Sequence, residues 1–240
     1  MELLLKTFLY CAISIYGFQN ASAQFPIKTK ISAEGIFQTG NVERILGIAR
    51  AETRATDSLI EAIANANFAY GEQNDVKAEH NAIGVFDLTF FPFSTFYPFI
   101  FGSGEFNRQR NIEYRWQAGA GGGIFLLKEK DNRLKITAAV ILDETQYTED
   151  VLKSERISVR IKGTHKVFST PLILSHTSFY QPALRDSRNY RASTLITLDF
   201  PFSEIFSFRA AFEDTYENIV APGRKPNDMR LTFGISARFE

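Results

Sequence analysis

Few residues in this chain could act as a catalytic base, a nucleophile partner or a metal ligand. The sequence holds three histidines, His80, His165 and His176. Ser–His catalysis needs a serine within hydrogen-bond reach of a histidine. Ser175 and Ser178 are close to His176 in sequence, but side chains alternate along a strand, so Ser175 would face away from it. The histidines lack zinc-site spacing. We therefore predict no catalytic, metal or cofactor-binding residue, and a Ser–His hydrolase stays an alternative.

Charged residues at every second position are the other chemical feature. In residues 156–168, Ile157 and Val159 share one face while Arg160 and Lys162 share the opposite one. A charge facing lipid would cost about 2–4 kcal/mol, so in a membrane barrel these charges would face the interior. The predicted interior charges include Glu113, Arg115, Lys135, Arg160, Lys162, Arg209, Arg230 and Arg238.

This charged interior has two interpretations. Acidic and basic side chains that pair with each other would fill a narrow barrel and plug it. If the interior is open, it forms a small aqueous pore, and the series Arg160, Lys162 and Lys166 would favour anions. A twelve-strand barrel is intermediate between filled eight-strand barrels and open sixteen-strand porins, so its size allows both.

The last strand is the clearest element that positions such residues. Residues 229–239 alternate between apolar and polar or small side chains, which predicts an amphipathic strand ending in an aromatic residue. Phe233, Ile235 and Phe239 share its apolar face. We expect this terminal strand to be recognised by the outer-membrane assembly machinery.

Alternation of this kind recurs along the chain and predicts an all-β fold of about twelve strands. Residues 42–53 and 58–66 also fit short amphipathic helices, but a lone helix would interrupt an up-and-down barrel, so we assign strands. Connections should alternate between short and longer ones; the longer ones are 144–155, 181–189 and 216–228. The predicted strands are approximately 27–39, 42–55, 59–70, 76–91, 96–106, 112–127, 133–144, 156–168, 171–180, 190–200, 206–215 and 229–239.

The first 23 residues read as a signal peptide. Lys6 precedes an apolar run, and Ala21-Ser22-Ala23 has the small-x-small pattern of a cleavage site before Gln24. Cleavage would remove Cys11, the single cysteine, so the mature domain 24–240 would form no disulfide. A lipoprotein is the alternative reading of Cys11, although Tyr10 stands where a small residue is required. Equal numbers of acidic and basic residues argue against binding nucleic acid by net charge.

The strand pattern and the aromatic clusters predict a membrane location. After residue 23 the sequence has no run of about 18 uncharged apolar residues, so the spanning structure would be a closed barrel. Phenylalanines cluster around 90–97 and 200–206, which is typical of an aromatic belt at the membrane interface. The same alternation also fits a soluble lipocalin-like barrel, in which the apolar face would point to the interior and the polar face to water. Such a barrel would bury Leu134, Ile136, Val140 and Leu142 in a cavity.

Several stretches resemble a known family. They are the turn at 39–42, the glycine-rich segment 117–123, and the final hairpin 216–239 with Pro222 before Asn227. Together with the patterns between them, residues 31–239 resemble the salt-induced outer-membrane protein family, a family of unknown function. The resemblance implies an outer-membrane β-barrel of unassigned activity. Glu240 after Phe239 departs from the usual aromatic end.

The sequence therefore predicts a monomeric, closed antiparallel barrel in the outer membrane of a Gram-negative bacterium. Its partners would be outer-membrane lipid and, during biogenesis, the assembly machinery, with no cofactor and no nucleic acid. The predicted role is structural or that of a narrow pore for small solutes. The alternatives are a lipid-modifying enzyme at His165 or His176, which requires a serine close to one of them, and a soluble periplasmic binding barrel.

Overall fold

The structure, a computed structural model, is a closed barrel of twelve antiparallel strands, which confirms the predicted fold class. It describes residues 26–38, 44–74, 76–129, 131–148, 150–167 and 170–239. Each strand pairs with the next, and β1 pairs with β12 to close the ring. The strands are β1 (Ile27–Gln38), β2 (Arg44–Thr56), β3 (Ile60–Gln73), β4 (Val76–Phe90), β5 (Phe96–Asn107), β6 (Ile112–Lys128), β7 (Asn132–Tyr147), β8 (Val151–Lys166), β9 (Ile173–Pro182), β10 (Tyr190–Pro201), β11 (Phe206–Glu217) and β12 (Asn227–Phe239).

The two segments with helical spacing are strands β2 and β3. Their registry is continuous from Arg44 opposite Gln73 to Thr56 opposite Glu61. Each strand pairs its backbone amide groups with neighbouring strands on both sides. A helix inserted in the ring would interrupt this pairing. The helical elements in the described ranges amount to one 3₁₀ turn, Arg108–Arg110, between β5 and β6. No helix in the described ranges is long and apolar enough to cross a membrane.

Several sequence predictions lie outside the described residues. These are the signal peptide with its cleavage site and Cys11, the turn at residues 39–42, and Glu240.

Large apolar side chains cover the outside of the barrel, whereas the inside carries most of the charged side chains together with some buried apolar ones such as Ile141 and Phe99. On β7, Val140 is 56% exposed, whereas its neighbour Ile141 is 0% exposed. Leu142 is more than half exposed on the same outer face as Val140. The soluble-barrel alternative placed these two side chains in an internal cavity, and that prediction is wrong. The outer surface is instead an apolar wall of the kind that faces lipid.

The barrel has two distinct ends. We call the end with the first residue of β1 and the last residue of β12 the terminal end, and the opposite one the loop end. Terminal-end connections in the described ranges are short, as predicted. At the loop end, the long loop predicted for 144–155 is wrong, because the β7–β8 ladder continues to Gln146 opposite Val151. The loops 183–189 and 218–226 are also shorter than predicted, because β9, β11 and β12 extend into them.

Aromatic side chains border the apolar wall at both ends. At the terminal end, the Phe202 ring packs against Phe206 and Phe208 with centroids 6.3 and 4.5 Å apart. At the loop end, Tyr190 packs between Tyr180 and Tyr216 at 5.5 and 5.4 Å. Two aromatic bands separated by an apolar zone match the interface belts of membrane barrels.

The glycine-rich stretch of β6 makes room for aromatic side chains of β5. A Cβ at Gly119 would lie 2.7 Å from Phe101 Cε1, and one at Gly123 would fall within the Tyr97 ring. Tyr97 and Phe99 are buried against Ala139 on β7. The glycines of β6 and the small Ala139 of β7 therefore leave space for these rings against the inner wall of the barrel.

Candidate functional site

A single large cavity runs through the barrel and is the candidate functional site. Its volume is about 950 Å³, and it extends from Arg133 and Arg238 at the terminal end to Gln109 and Arg110 at the loop end. Among the described residues that line it, fourteen are lysine or arginine and eight are aspartate or glutamate. The whole chain has 27 of each sign. The cavity lining is therefore more basic than the whole chain, although the buried carboxylates of Glu34, Asp143 and Asp199 pair with some of these cations from within the wall.

The structure brings most of the predicted interior charges together. Those that line the cavity are Arg115, Arg160, Lys162, Arg209, Arg230 and Arg238. Lys135 points inward beside them, with its Nζ 5.4 Å from the centre of the Tyr97 ring. Glu113 lies apart from the cavity and is exposed. The reason is a register shift between Ile112 and Tyr114, which breaks the alternation of β6 at that residue.

A buried cluster at the loop end, here called the loop-end network, is centred on Glu217. This carboxylate accepts hydrogen bonds from Arg110 Nη1 at 2.7 Å and from Arg115 Nη1 at 2.8 Å, and Arg191 Nε lies 3.6 Å away. Arg115 Nη2 also donates to Oε2 at 2.9 Å. Arg115 is on β6 and Glu217 on β11, on opposite sides of the ring of strands. These contacts therefore cross the interior.

Asp143 is the second carboxylate of the loop-end network. Arg191 Nη1 donates to it at 2.7 Å, Arg156 Nε at 3.3 Å and Gln117 Nε2 at 3.0 Å. Asp143 is buried in β7. A buried carboxylate needs this set of donors because its desolvation is otherwise very unfavourable.

The β11–β12 connection folds over the loop-end network. Ala221 is buried against Ile112 and Tyr147. Arg224 Nη2 donates to the Asn111 side chain at 2.6 Å, which ties the connection to the 3₁₀ turn. A second cavity of about 210 Å³ lies beneath, lined in part by Val220. The loop-end opening of the barrel is consequently narrow.

Another set of ion pairs joins β1, β2, β4, β11 and β12 on one side of the interior. Arg50 bridges Glu34 at 2.6 Å and Glu213 at 2.8 Å. Arg230 bridges Glu213 and Glu79, both at 3.1 Å. Arg209 and Lys30 hold Asp199 in the same way, at 2.8 and 2.7 Å. These pairs line the wall with charges that are already compensated.

Terminal-end charges on the β2, β3 and β8 side are more exposed and less tightly paired than the Lys30–Asp199–Arg209 group at the same end. Lys162 Nζ lies 3.7 Å from Glu52, and Arg54 lies 3.3 Å from Glu52 and 3.4 Å from Glu61. Arg133 and Arg238 make no ion pair within the described part of the chain. This half of the interior is therefore the part that can offer positive charge to a solute.

Sequence reasoning missed several residues of the site. Glu34, Arg50, Glu79 and Glu217 are all inward-facing strand residues, so the alternation of β1, β2, β4 and β11 carried a signal for them. The sequence held no such signal for Arg110. This residue belongs to the 3₁₀ turn, so strand alternation does not predict that its side chain points to the interior.

The histidines do not form a Ser–His arrangement. His165 Nε2 and His176 Nε2 lie 3.3 Å apart, and in the described ranges neither ring makes a hydrogen bond to a serine. The hydrolase alternative required such a contact, and its prediction is not met. Three or more His, Cys, Asp or Glu side chains do not converge on a metal-binding point anywhere in those ranges.

Solved structures with a similar backbone include porins and an autotransporter translocator domain. A NanC porin matches with a TM-score of 0.54 at 10% identity, over 88% of this chain and 99% of that one. A KdgM porin matches with 0.48 at 9% identity over 88% and 99%. The translocator domain of the autotransporter NalP from Neisseria meningitidis matches with 0.40 at 12% identity over 100% and 96%. Curated proteins gave no match to this sequence.

The fold is a closed antiparallel β-barrel with a charged interior, and its backbone is similar to that of the NanC porin. The chain belongs to the family described as protein of unknown function, DUF481, whose sequence profile matches residues 31–239. This confirms the predicted membership of an unknown-function family. The salt-induced character that the resemblance implied stays a prediction.

Proposed function

We propose that this protein is a narrow pore of the Gram-negative outer membrane that passes small anionic solutes. Export by the N-terminal signal peptide, insertion by the assembly machinery and function as a monomer belong to the same proposal. We assign it no enzymatic activity. The terminal end would face the periplasm and the loop end the outside, with outer-membrane lipid around the apolar wall.

One observation carries the proposal: a continuous cavity with fourteen basic against eight acidic lining residues. Rings and rows of fixed charge set which ions enter a pore. In the described part of the chain, Arg133 and Arg238 at the terminal end make no ion pair, and Lys162 has only a long one, 3.7 Å from Glu52. Anions would collect there before reaching the narrower loop end. The porin fold of the NanC structure supports the proposal at the level of architecture.

A second function is favoured by the loop-end network. Arg115 and Glu217 cross the interior, and Ala221 seals part of the opening above them. If these contacts persist in the membrane, the barrel is closed and its role is structural.

Conductance measurements in a planar lipid bilayer test both proposed functions, the pore and the closed structural barrel. The purified mature protein is inserted, and the reversal potential is measured across a KCl gradient. We expect small, chloride-selective channels. Replacing Lys162 and Arg238 by glutamate should shift the reversal potential toward the cation side. Arg185→Glu, on the exposed 183–189 loop, is the matched control and should leave the selectivity unchanged.

The outcomes separate the two functions. Folded barrels that never conduct would overturn the pore and support the closed structural barrel. Channels that conduct but keep their selectivity in the K162E/R238E variant would contradict the assignment of selectivity to the terminal end.

A further inference from the structure

A histidine pair sits on the outward face of strands β8 and β9. His165 is the penultimate residue of β8, and His176 is on β9 opposite Gly163. Lys162 and Thr164 point inward, so His165, Gly163 and their cross-strand neighbour His176 share the outward face. The pair is at the terminal-end rim of the apolar wall, where water can reach it.

The two imidazoles approach head to head. Their Nε2 atoms are 3.3 Å apart, the ring centroids are 5.4 Å apart and the ring planes differ by 10°. Because the centroids are about 2 Å farther apart than the nitrogens, the Nε2 atoms are the closest parts of the two rings. No other side-chain partner of either Nε2 occurs in the described ranges.

Gly163 makes this approach feasible. A Cβ at this position would overlap His176 Nε2 and would lie 2.7 Å from His165 Nε2. The absence of a side chain on the strand between them lets both rings lie over the same point of the backbone. Any larger residue would push the two nitrogens apart.

The nitrogen separation fits a shared metal ion. Zinc–nitrogen bonds are about 2.0–2.1 Å long, so two nitrogens at a tetrahedral angle on one ion lie about 3.3 Å apart. Neutral imidazole suits zinc, copper and nickel among the divalent ions. Two histidines leave the remaining positions open, and at the rim those positions are accessible to water.

We propose that His165 and His176 form a two-histidine site for a divalent late transition-metal ion such as Zn²⁺, on the outer face of the barrel at the terminal end. The site joins β8 to β9 across a single ladder. Although His176 borders the cavity, both imidazoles lie over Gly163 on the outward face of the strands, so the site does not depend on the pore proposal.

Zinc titration of the folded protein tests this proposal. Mature protein without a polyhistidine tag is refolded in detergent and titrated with ZnCl₂ by calorimetry. His165→Gln and His176→Gln keep polarity and size but remove the imidazole. His80→Gln is the matched control, because His80 is an outward histidine packed only against aromatic rings such as Phe106, 5.1 Å away. Folding of each variant is checked by its gel shift on boiling.

We expect one zinc ion per chain, with binding weakened by at least about tenfold in either pair variant and unchanged in His80→Gln. A wild-type protein that shows no saturable binding up to about 1 mM zinc overturns the proposal. So does binding that survives both pair variants.

A measurement on the wild-type chain covers the case of misfolded variants. Diethyl pyrocarbonate modifies accessible imidazoles, and the modified peptides are identified by mass spectrometry. We expect zinc to protect His165 and His176 but not His80. Equal modification with and without zinc would show that the pair is only a hydrogen-bonded contact.

Discussion

The two halves of the barrel interior carry similar side chains but use them differently. At the loop end, Arg115 and Glu217 are 8% and 3% exposed and make three contacts shorter than 3 Å with each other and with Arg110. At the terminal end, Lys162 and Arg54 are each 29% exposed, and their ion pairs measure 3.3–3.7 Å. Burial and partner number, not residue type, separate these two groups of charges, and the Lys30–Asp199–Arg209 group at the terminal end is paired as tightly as the loop-end network.

This difference indicates which charges maintain the structure and which remain free to act on a solute. Removing one partner of a buried ion pair leaves an uncompensated charge and costs about 3–5 kcal/mol, whereas exposed pairs contribute about 0–1 kcal/mol. Loop-end charges should therefore respond to mutation mainly through stability. Terminal-end charges should respond mainly through ion selectivity.

The largest effect should come from Glu217→Gln. The amide keeps the shape of the side chain but leaves Arg110, Arg115 and Arg191 without their shared negative charge. We expect the free energy of unfolding to fall by about 3–5 kcal/mol, measured by urea unfolding of the barrel in lipid vesicles. Surviving channels should conduct more, because the contacts across the loop end are weakened.

Glu113→Gln is the control for that experiment. It makes the same change at an exposed bulge residue and should alter stability by no more than about 0.5 kcal/mol. If the two variants were equally stable, the loop-end network would not be a structural element, and the contrast between the halves would disappear.

A smaller loss should follow Gly123→Ala in the terminal-end half. The new methyl group would occupy the space of the Tyr97 ring, which has to turn toward the cavity. We expect a destabilisation of about 1–3 kcal/mol from overpacking and a lower single-channel conductance. Gly104→Ala is the control, since its Cβ would meet no atom within 4 Å. Unchanged conductance with a folded barrel would show that the aromatic residues of β5 do not border the solute path.

Alternation was sufficient to predict most of the fold. A two-residue period with an apolar face fixes both the strand and its orientation, and β12 and β8 followed that pattern closely. The ends of β7 and β8 were predicted less well. Polar residues such as Thr145 and Gln146 read as a loop, but the inward face of this barrel is polar, so they continue the hairpin.

The site was predictable only in part. Inward residues such as Arg160 and Lys162 followed from the same alternation, whereas their pairing partners depend on which strands face each other across the ring. Alternation placed Glu113 on the wrong face, because a register shift in β6 between Ile112 and Tyr114 moves this residue off the inward face. The contact between His165 and His176 needed Gly163 opposite His176, a cross-strand registry that spacing along one strand does not give.

The smallest expected effect concerns salt and separates the halves without any mutation. Charges in the water-filled terminal-end half are screened over about 8–10 Å at physiological ionic strength and over about 3 Å at 1 M. The chloride preference should therefore fall steadily when the reversal potential is measured at a fixed KCl ratio and rising total concentration. Buried loop-end pairs are screened far less. A preference that stays constant from about 0.05 to 1 M would place the selectivity of the channel in the loop-end network and reverse the roles argued for the two halves.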